Sequence, residues 1–290
     1  MLCRSFALKT TRKFSSRLFV RSSLLSFSSR YVRRFMSEPK SRTIFIGDIH
    51  GCLSEFEHLL KKLKITPNDE IICVGDLIAK GPNSCGVLKL VRELNMKSVL
   101  GNHDCQLLFC GEHLGFIPKG SCTLPSNCYG DPSKTPEHLE LAKQLTKDDW
   151  TYLLSLPLYL EVPEHKVLVV HAGLVPGIPY DLQEPADFMK IRNIVNGRGS
   201  ESHNDGVSWV SLWNGPPFVV FGHDAIRRLQ TGHDWAIGLD SGCCYGGDLT
   251  AFIMPGREIV QIAAQKNHCP PTSPIIPQQE SEKINPNSSL

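Results

Sequence analysis

Short apolar runs that end in glycine and in metal-binding side chains are the feature that most limits what this chain can fold into. Five runs lead directly into such residues: Thr43–Ile46 into Gly47-Asp48-Ile49-His50-Gly51, Glu70–Val74 into Gly75-Asp76, Ser98–Leu100 into Gly101-Asn102-His103-Asp104, Val167–Val170 into His171-Ala172-Gly173, and Phe218–Phe221 into Gly222-His223. In an open α/β sheet, binding sites assemble at the carboxyl ends of the strands. The pattern therefore predicts one site at that edge of a sheet.

Helical periodicity between the first three runs indicates an α/β fold built from right-handed βαβαβ crossovers. Apolar residues recur at helical spacing around Leu59 and around Val91, so each stretch can bury one face against the sheet. Ser54 and Glu57 predict a capping box at the start of the first helix. Two helices are therefore expected to pack back on the sheet.

The later part of the chain is predicted to be less regular. Residues 111–136 are rich in Gly, Pro, Ser and Cys and carry no sustained period, which predicts a long surface loop. Thr146 and Asp149 predict a second capping box. Strands over 218–221 and 236–239 are expected to belong to a second sheet.

The two ends of the chain differ in composition from the single catalytic domain predicted over residues 41–265. Residues 1–40 hold ten of the 31 Lys and Arg but only one of the 29 acids, interleaved with Ser, Leu and Phe. This is typical of a mitochondrial transit peptide. A disordered basic arm or an RNA-binding tail stays open as an alternative, and Met36 offers a second start for a cytosolic form. Residues 266–290 are polar and broken by proline, which predicts a disordered tail.

The net charge outside residues 1–40 limits which partners the protein can attract. Removing residues 1–40 from the count leaves 21 basic against 28 acidic residues, a net charge of about −7. A domain with this net negative charge does not attract nucleic acid, so no stable nucleic-acid binding is predicted. A polyanionic substrate must instead be attracted by a local cluster of basic residues or by bound metal. No apolar stretch is long enough to cross a bilayer, so no membrane span is predicted. The sequence leaves the oligomeric state open.

The predicted site collects oxygen and nitrogen ligands. The candidate metal ligands are Asp48, His50, Asp76, Asn102, His171 and His223. This set suits Mn, Fe, Zn, Co or Mg. One Asp-x-His alone is usually structural, but five motifs in order, each after a strand, predict two divalent metal ions a few ångströms apart. The eleven cysteines lack paired CxxC spacing and are predicted to be reduced thiols rather than disulfides or a zinc site.

These motifs resemble a known family. The order GDIHG, GDLIAKGP, GNHD, HAG and GH resembles the calcineurin-like metallophosphoesterases of the phosphoprotein-phosphatase superfamily over residues 43–254. GDLIAKGPNSCGVL, SVLGNHDCQLL and LDSGCCYGGDLT look like the bacterial symmetrical diadenosine tetraphosphatases. HAGLVPGIP and the lysine of GDLIAKGP look more like the eukaryotic ApaH-like phosphatases. The resemblance implies two mixed β-sheets packed as a sandwich and flanked by helices.

The resemblance also implies roles for the site residues. It places Asp48 and His50 on the first metal, Asp76 as the bridge, and Asn102, His171 and His223 on the second metal. A water shared by two bridged cations loses a proton near neutral pH and attacks phosphorus in line. His103, with Asp104 fixing its tautomer, is the predicted general acid.

Lys80 and Arg192 are the candidate phosphate-binding residues. Lys80 stands where relatives use arginine, and it supplies charge without a bidentate fork. Arg192 resembles a second phosphate-contacting arginine, with a solvated surface arginine as the alternative. Leu100 occupies a position where some relatives carry a further arginine. Tyr245 stands in place of a tryptophan and either stacks on a nucleoside base or fills the edge of the second sheet.

The leading prediction is a hydrolase that opens phosphoanhydride bonds in a dinucleoside tetraphosphate, a capped RNA end or inorganic polyphosphate. A Ser/Thr phosphoprotein phosphatase needs the same two-metal centre, but its second motif usually has Asp-Arg where this chain has Ala79-Lys80. A catalytically silent binding module is the third alternative, although such a protein need not retain Asp76, Asn102 and His103 together.

Overall fold

A computed structural model of the chain describes residues 42–270. The predicted transit segment over residues 1–40 and most of the predicted tail lie outside the described residues. In this part of the chain the strands are β1 (Thr43–Ile46), β2 (Glu70–Cys73), β3 (Lys97–Ser98), β4 (Tyr159–Val162), β5 (Val167–Val170), β6 (Asn193–Val195), β7 (Arg198–Ser200), β8 (Val207–Ser208), β9 (Phe218–Phe221), β10 (Gln230–His233), β11 (Ala236–Gly238), β12 (Asp248–Met254) and β13 (Glu258–Ala263). The helices are α1 (Leu53–Leu63), α2 (Ser84–Glu93), α3 (Asn102–Leu114), α4 (Pro136–Ala142), α5 (Lys147–Leu154), α6 (Pro185–Lys190) and α7 (Trp209–Leu212).

The first sheet has the strand order β13-β12-β1-β2-β3. Strands β1, β2 and β3 are parallel and are connected through α1 and α2, so the βαβαβ prediction is confirmed. Strand β12 pairs antiparallel with β1, joining Thr43 to Met254 at the ends of the two strands. The sequence reading missed β12 and β13, and their antiparallel pairing makes the sheet mixed.

The second sheet has the order β10-β11-β9-β5-β4. Strands β5, β9 and β11 are parallel at its centre, and the outer strands β4 and β10 are antiparallel to their neighbours. The prediction that β9 and β11 belong to a second sheet is confirmed. A small third sheet, β7-β6-β8, follows α6.

The two large sheets pack face to face as a sandwich. Phe45, Ile72 and Phe252 of the first sheet form one buried cluster with Val169 and Val220 of the second. Side chains alternate along each strand, so the neighbours of these residues point outward into the two clusters that the helices cover. The predicted sandwich of two mixed sheets flanked by helices is therefore confirmed.

One predicted helix cap is right and one is wrong. Thr146 Oγ1 accepts from the Asp149 amide at 3.2 Å, and Asp149 Oδ2 accepts from the Thr146 amide at 2.8 Å. Helix α1 instead begins at Leu53 with Cys52 at its N-cap, so Ser54 already lies inside the first turn and cannot cap it. The buried face of α1 carries Leu59 and its helical neighbours, as predicted.

The predicted loop over residues 111–136 is shorter than expected. Helix α3 continues to Leu114, and α4 begins at Pro136. Between them the chain forms two single 3₁₀ turns, Ser126–Cys128 and Pro132–Lys134. The apolar side chains of α3 are buried almost all round, which hid its period in the sequence.

The fold continues past residue 265, where the tail was predicted to begin. His268 Nε2 lies 2.9 Å from Glu55 Oε1, and the backbone amides of His268 and Cys269 donate to Cys244 O. These contacts join the segment to α1 and to the loop after β11. None of the helices between residues 42 and 270 has the length and apolar character that a membrane crossing requires. The ten cysteines in this range are free thiols, in agreement with the predicted reduced state.

Candidate active site

The predicted metal ligands meet at one edge of the sandwich. Asp48 and Asp76 follow β1 and β2, and Asn102 follows β3 as the first residue of α3. From the second sheet, His171 follows β5 and His223 follows β9. Because the central strands of both sheets are parallel, their carboxyl ends bring these side chains together, as the sequence pattern indicates.

Two histidines are fixed by backbone carbonyls. His50 Nδ1 lies 3.1 Å from Ile78 O, and His171 Nδ1 lies 2.8 Å from Val74 O. A carbonyl oxygen only accepts, so in both rings Nδ1 carries the proton and Nε2 presents a lone pair. This is the orientation that a metal-binding histidine adopts when its other nitrogen is held by a hydrogen bond to a carbonyl oxygen.

Asp76 stands between these two histidines. Its Oδ2 lies 3.4 Å from His50 Nε2 and 3.5 Å from His171 Nε2. Its Oδ1 accepts a hydrogen bond of 2.9 Å from the backbone amide of His103. Burial alone would raise the pKa of Asp76, but the surrounding histidines and Lys80 outweigh burial and hold that pKa below its ordinary value. Asp76 therefore has the position and the charge of a bridging carboxylate.

A second group of ligand atoms surrounds Asn102. Asn102 Oδ1 lies 3.0 Å from His171 Nε2 and 2.9 Å from His223 Nδ1. His223 Nε2 is buried and finds no hydrogen-bond partner among residues 42–270. Burial, and then the charge of Arg192, lowers the pKa of His223 well below its usual value, so the ring is neutral and able to bind a cation.

Glycines allow the ligand loops to approach one another closely. A Cβ on Gly222 would stand 2.0 Å from Asp48 Oδ1, and a Cβ on Gly101 would stand 2.2 Å from Asp76 Oδ1. Gly222 and Gly101 are therefore required by packing against the ligands themselves.

The site concentrates buried negative charge. Burial, followed by the charges of Asp240 and Asp76, raises the pKa of Asp48 well above its ordinary value. Burial also raises the pKa of Asp240 to about 6. The ligand atoms of Asp48, Asp76 and His171 lie within 4.8 Å of one another. Crowded carboxylates beside neutral imidazoles are what divalent cations neutralise, so the residues present fit the metals that the sequence predicts.

Lys80 lies on the His50 side of the cluster. Its Nζ is 3.0 Å from His50 Nε2 and stands over the ring of Tyr245, 5.3 Å from the centroid. Ala79 and Lys80 both adopt left-handed backbone conformations, with φ of 69° and 65°. Such strain in non-glycine residues persists only where the surroundings impose it, and here it turns the ammonium toward the ligands. The ring of Tyr245 contacts Lys80, which gives Tyr245 a position beside the site.

Arg192 lies on the opposite side, near His223. It follows α6, its Nη1 donates to Glu201 O at 3.3 Å, and its Nε is buried without a partner among the described residues. Burial lowers the pKa of this guanidinium. Arg192 is thus half-buried rather than fully solvated, and its buried Nε is costly to leave without a partner unless a ligand satisfies it.

His103 lies beside His50 at the first half of the site, with the two rings nearly perpendicular and 5.1 Å apart. The predicted pairing of His103 with Asp104 is wrong. Asp104 accepts from the backbone amides of Leu77 and Gly101 at 3.1 Å each, so its carboxylate closes the turn before α3. Burial raises the pKa of Asp104 to about 8. His103 Nδ1 lies instead 3.1 Å from His138 Nε2 on α4.

Sequence reasoning missed Asp240 and His138. Asp240 lies just after β11, and the backbone amide of Gly242, two residues later, donates to its carboxylate. The pattern that identified the other ligands, a polar residue and a glycine directly after a strand, therefore also applies to Asp240. His138 lies in a stretch with no motif, two residues after the predicted loop. Only the packing of α4 on α3 brings it to His103, and the sequence carries no signal for that contact.

The fold and the cluster define a hydrolase of the metallophosphoesterase type. The chain belongs to the calcineurin-like phosphoesterase family, whose sequence model matches residues 41–254. Members of this family are metal-dependent enzymes. Both the predicted family and the predicted enzyme class are therefore confirmed.

Three similar proteins are named or described as tetraphosphatases. The chain is 27% identical over 242 residues to an asymmetrical bis(5'-nucleosyl)-tetraphosphatase of Oceanobacillus iheyensis, an alignment that covers 76% of this chain and 92% of the relative. It is 37% identical over 137 residues to a symmetrical bis(5'-nucleosyl)-tetraphosphatase of Haemophilus ducreyi, covering 46% of each. A crystal structure provisionally described as a diadenosine tetraphosphatase superposes with a TM-score of 0.68 and 39% identity, covering 78% of this chain and 94% of the other.

Proposed function

We propose that this protein hydrolyses phosphoanhydride bonds in dinucleoside polyphosphates, with a dinucleoside tetraphosphate as the preferred substrate. The observation that supports this most is the placement of two half-buried cationic side chains on either side of the ligand cluster. Lys80 contacts His50, and Arg192 acts on the pKa of His223. A chain of phosphates offers negative charge to both flanks, whereas a single phosphoryl group offers it to one. The names of the relatives support the same substrate class.

The ligand cluster is proposed to hold two divalent cations. Asp48 and His50 would hold the first, Asn102, His171 and His223 the second, and Asp76 both. Mn, Fe, Zn, Co and Mg all suit these ligands. When bound, such cations stabilise negative charge on phosphoryl oxygens and lower the pKa of water.

The chain's own residues supply the remaining chemistry. Lys80 and Arg192 would bind phosphate oxygens and hold the phosphate chain across the cluster. Water would give a proton to solvent as its oxygen forms the bond to phosphorus, while the opposite P–O bond breaks and its electron pair goes to the leaving oxygen. His103 would donate the proton of its Nε2 to that oxygen and recover a proton from solvent. Asp104 takes no part in this transfer, because its carboxylate is bound to backbone amides.

Product analysis tests the proposal directly. The full-length protein, loaded in turn with Mn, Co, Mg or Zn, is offered diadenosine tetraphosphate, capped RNA, inorganic polyphosphate and a phosphopeptide. We expect the dinucleotide to be cleaved fastest. Two ADP molecules would identify symmetrical cleavage, and ATP with AMP would identify asymmetrical cleavage. Preference for the phosphopeptide would overturn the proposal in favour of a protein phosphatase, and the absence of turnover with tight ligand binding would favour a silent module.

The compartment is a separate proposal. The composition of residues 1–40 supports import into mitochondria, with a cytosolic form from Met36 as the alternative. Fusion of residues 1–40 to a fluorescent reporter should direct the reporter to mitochondria. A diffuse cytosolic signal would contradict the mitochondrial proposal and leave the enzymatic one untouched.

A further inference from the structure

The partner of His103 is another histidine. The rings of His103 and His138 are nearly coplanar, with 14° between their planes and 5.2 Å between their centroids. Their nitrogens Nδ1 and Nε2 lie 3.1 Å apart, so the contact is an in-plane hydrogen bond rather than face-to-face stacking. Because Nδ1 of His103 is bound in this way, Nε2 is the nitrogen that remains for the substrate.

Among residues 42–270, no acidic side chain forms a hydrogen bond with the His103 ring, although the Asp76 carboxylate lies within 4.8 Å of one of its nitrogens. Asp104, the next residue, is held by the amides of Leu77 and Gly101. Asp76 contacts His103 through its backbone amide, at 2.9 Å. Within residues 42–270, the recorded hydrogen bond of the His103 ring is the one to His138.

His138 is held firmly by the fold. Its side chain is 7% exposed, on the short helix α4. Gln106 of α3 binds the segment that leads into α4, accepting from Gly130 N at 2.7 Å and donating to Thr135 Oγ1 at 3.3 Å. Thr135 is the residue that precedes α4. The start of α4 is therefore attached to the helix that carries His103, which fixes the distance between the two rings.

A ring nitrogen with a fixed partner determines both the direction of an imidazole and the nitrogen that carries its proton. The proposed transfer needs both ring nitrogens of His103 protonated, so that Nδ1–H donates to His138 Nε2 while Nε2–H is aimed at the leaving oxygen. An acceptor at Nδ1 steadies the ring while that proton leaves. We propose that His138 is the positioning residue of His103, in the role that the sequence assigned to Asp104. This inference rests on the proposed function, because it concerns the same proton transfer.

Three variants of the full-length protein separate this role from a structural one. His138→Ala removes the partner. His138→Gln keeps an amide oxygen near the position of Nε2. His113→Gln, at an exposed histidine on the same α3 helix, is the control. Circular dichroism and thermal unfolding report whether each variant folds.

Kinetics give the first readout. With Mg-loaded enzyme and diadenosine tetraphosphate, His138→Ala should lower kcat by about 10–100-fold while KM changes by less than about 3-fold. His138→Gln should recover most of that loss, and His113→Gln should match the wild type. In the His103→Gln background, His138→Ala should cost little more, because the two residues act as a unit. Additive losses, or an unchanged kcat in a folded His138→Ala variant, would overturn the proposal.

The imidazole nitrogens give a readout that does not depend on turnover. In ¹⁵N-histidine-labelled, Mg-loaded protein, the His103 signals are identified by their loss in His103→Gln. We expect His103 Nδ1 to be protonated in the wild type and in His138→Gln, and the two nitrogen signals of His103 to be averaged in His138→Ala. Unchanged His103 signals in His138→Ala would show that the rings are not paired. If the wild type hydrolyses no phosphate compound, the proposed function fails, and these spectra still decide the pairing.

Discussion

The backbone amide of His223, in the second sheet, donates to both carboxylate oxygens of Asp48, in the first sheet, at 3.2 and 3.1 Å. Asp48 follows β1 and His223 follows β9, so this contact fixes the separation of the two sheets at the edge where the ligands gather. Burial raises the pKa of Asp48, and the amide hydrogen bond opposes that rise. The ligand groups of the two sheets are thereby held as one site.

Gly222→Ala should disrupt this contact. The added Cβ would stand 2.0 Å from Asp48 Oδ1, so the carboxylate must move. We expect metal affinity, measured by titration calorimetry with Mn, to fall by at least about 10-fold. Gly130→Ala is the matched control, since its Cβ would meet Gln106 Oε1 at an ordinary 3.4 Å. Wild-type affinity in Gly222→Ala would contradict the proposed role of Asp48.

Asp76→Asn tests the bridge. The amide keeps the shape of the side chain but removes the charge that lies 3.4 and 3.5 Å from His50 and His171. We expect bound metal, measured by elemental analysis, to fall from two ions per chain, and kcat to fall at least about 100-fold. Asp148→Asn, at a side chain that is 79% exposed, serves as the control. A fully active Asp76→Asn variant would refute the two-metal mechanism.

Lys80→Met should separate substrate binding from metal binding. Without the ammonium, KM for the dinucleotide should rise by about 10-fold or more, because one charged phosphate contact is lost. Affinity for Mn in the absence of substrate should not fall, because Lys80 donates to His50 Nε2 rather than binding metal. Lys89→Met changes an exposed lysine on α2 and should leave both quantities unchanged. Weaker Mn binding in Lys80→Met would mean that Lys80 supports the metal site.

Asp104→Asn and Asp104→Ala should differ in stability. The amides of Leu77 and Gly101 bind different oxygens of Asp104, so the single oxygen of asparagine can still accept from one of them, whereas alanine leaves both buried donors without partners. Urea denaturation should show a loss of about 2–4 kcal/mol for Asp104→Ala and a smaller loss for Asp104→Asn. Because Asp104 binds backbone amides rather than His103, Asp104→Asn should keep most of the activity. An inactive but stable Asp104→Asn variant would restore the catalytic role that the sequence suggested.

Arg42→Gln should reveal a pH-dependent contact at the start of the first sheet. Arg42 donates to both oxygens of Asp69, at 3.0 and 2.7 Å, and this hydrogen bonding lowers the pKa of Asp69. A lowered carboxylate pKa stabilises the fold above the unfolded value of about 3.9 and loses that stabilisation as the pH falls through the folded value. Because Arg42 is partly exposed, we expect Arg42→Gln to cost about 0.5–1 kcal/mol at pH 7 and almost nothing at pH 2. Lys89→Gln, which breaks an exposed pair, should show no such pH dependence.

The sequence by itself determined the ligand loops and the central strands. The apolar runs that end in Asp48, Asp76, Asn102, His171 and His223 are local patterns, and the carboxyl ends of parallel strands must share an edge. The cap at Thr146 was readable for the same reason, because both of its hydrogen bonds lie within four residues.

Only the tertiary structure decided which side chains surround the ligand residues and which side chain pairs with His103. The partner of His103 comes from α4, 35 residues later in the chain, and Asp104 is withdrawn by backbone amides that a motif does not show. Strand β12 pairs with β1 although the two are separated by most of the chain, and only the folded chain shows that Arg192 is half-buried. Local periodicity and spacing specify strands, helices and turns, whereas a hydrogen bond between side chains depends on how those elements pack. That packing is set by the whole core rather than by any one segment.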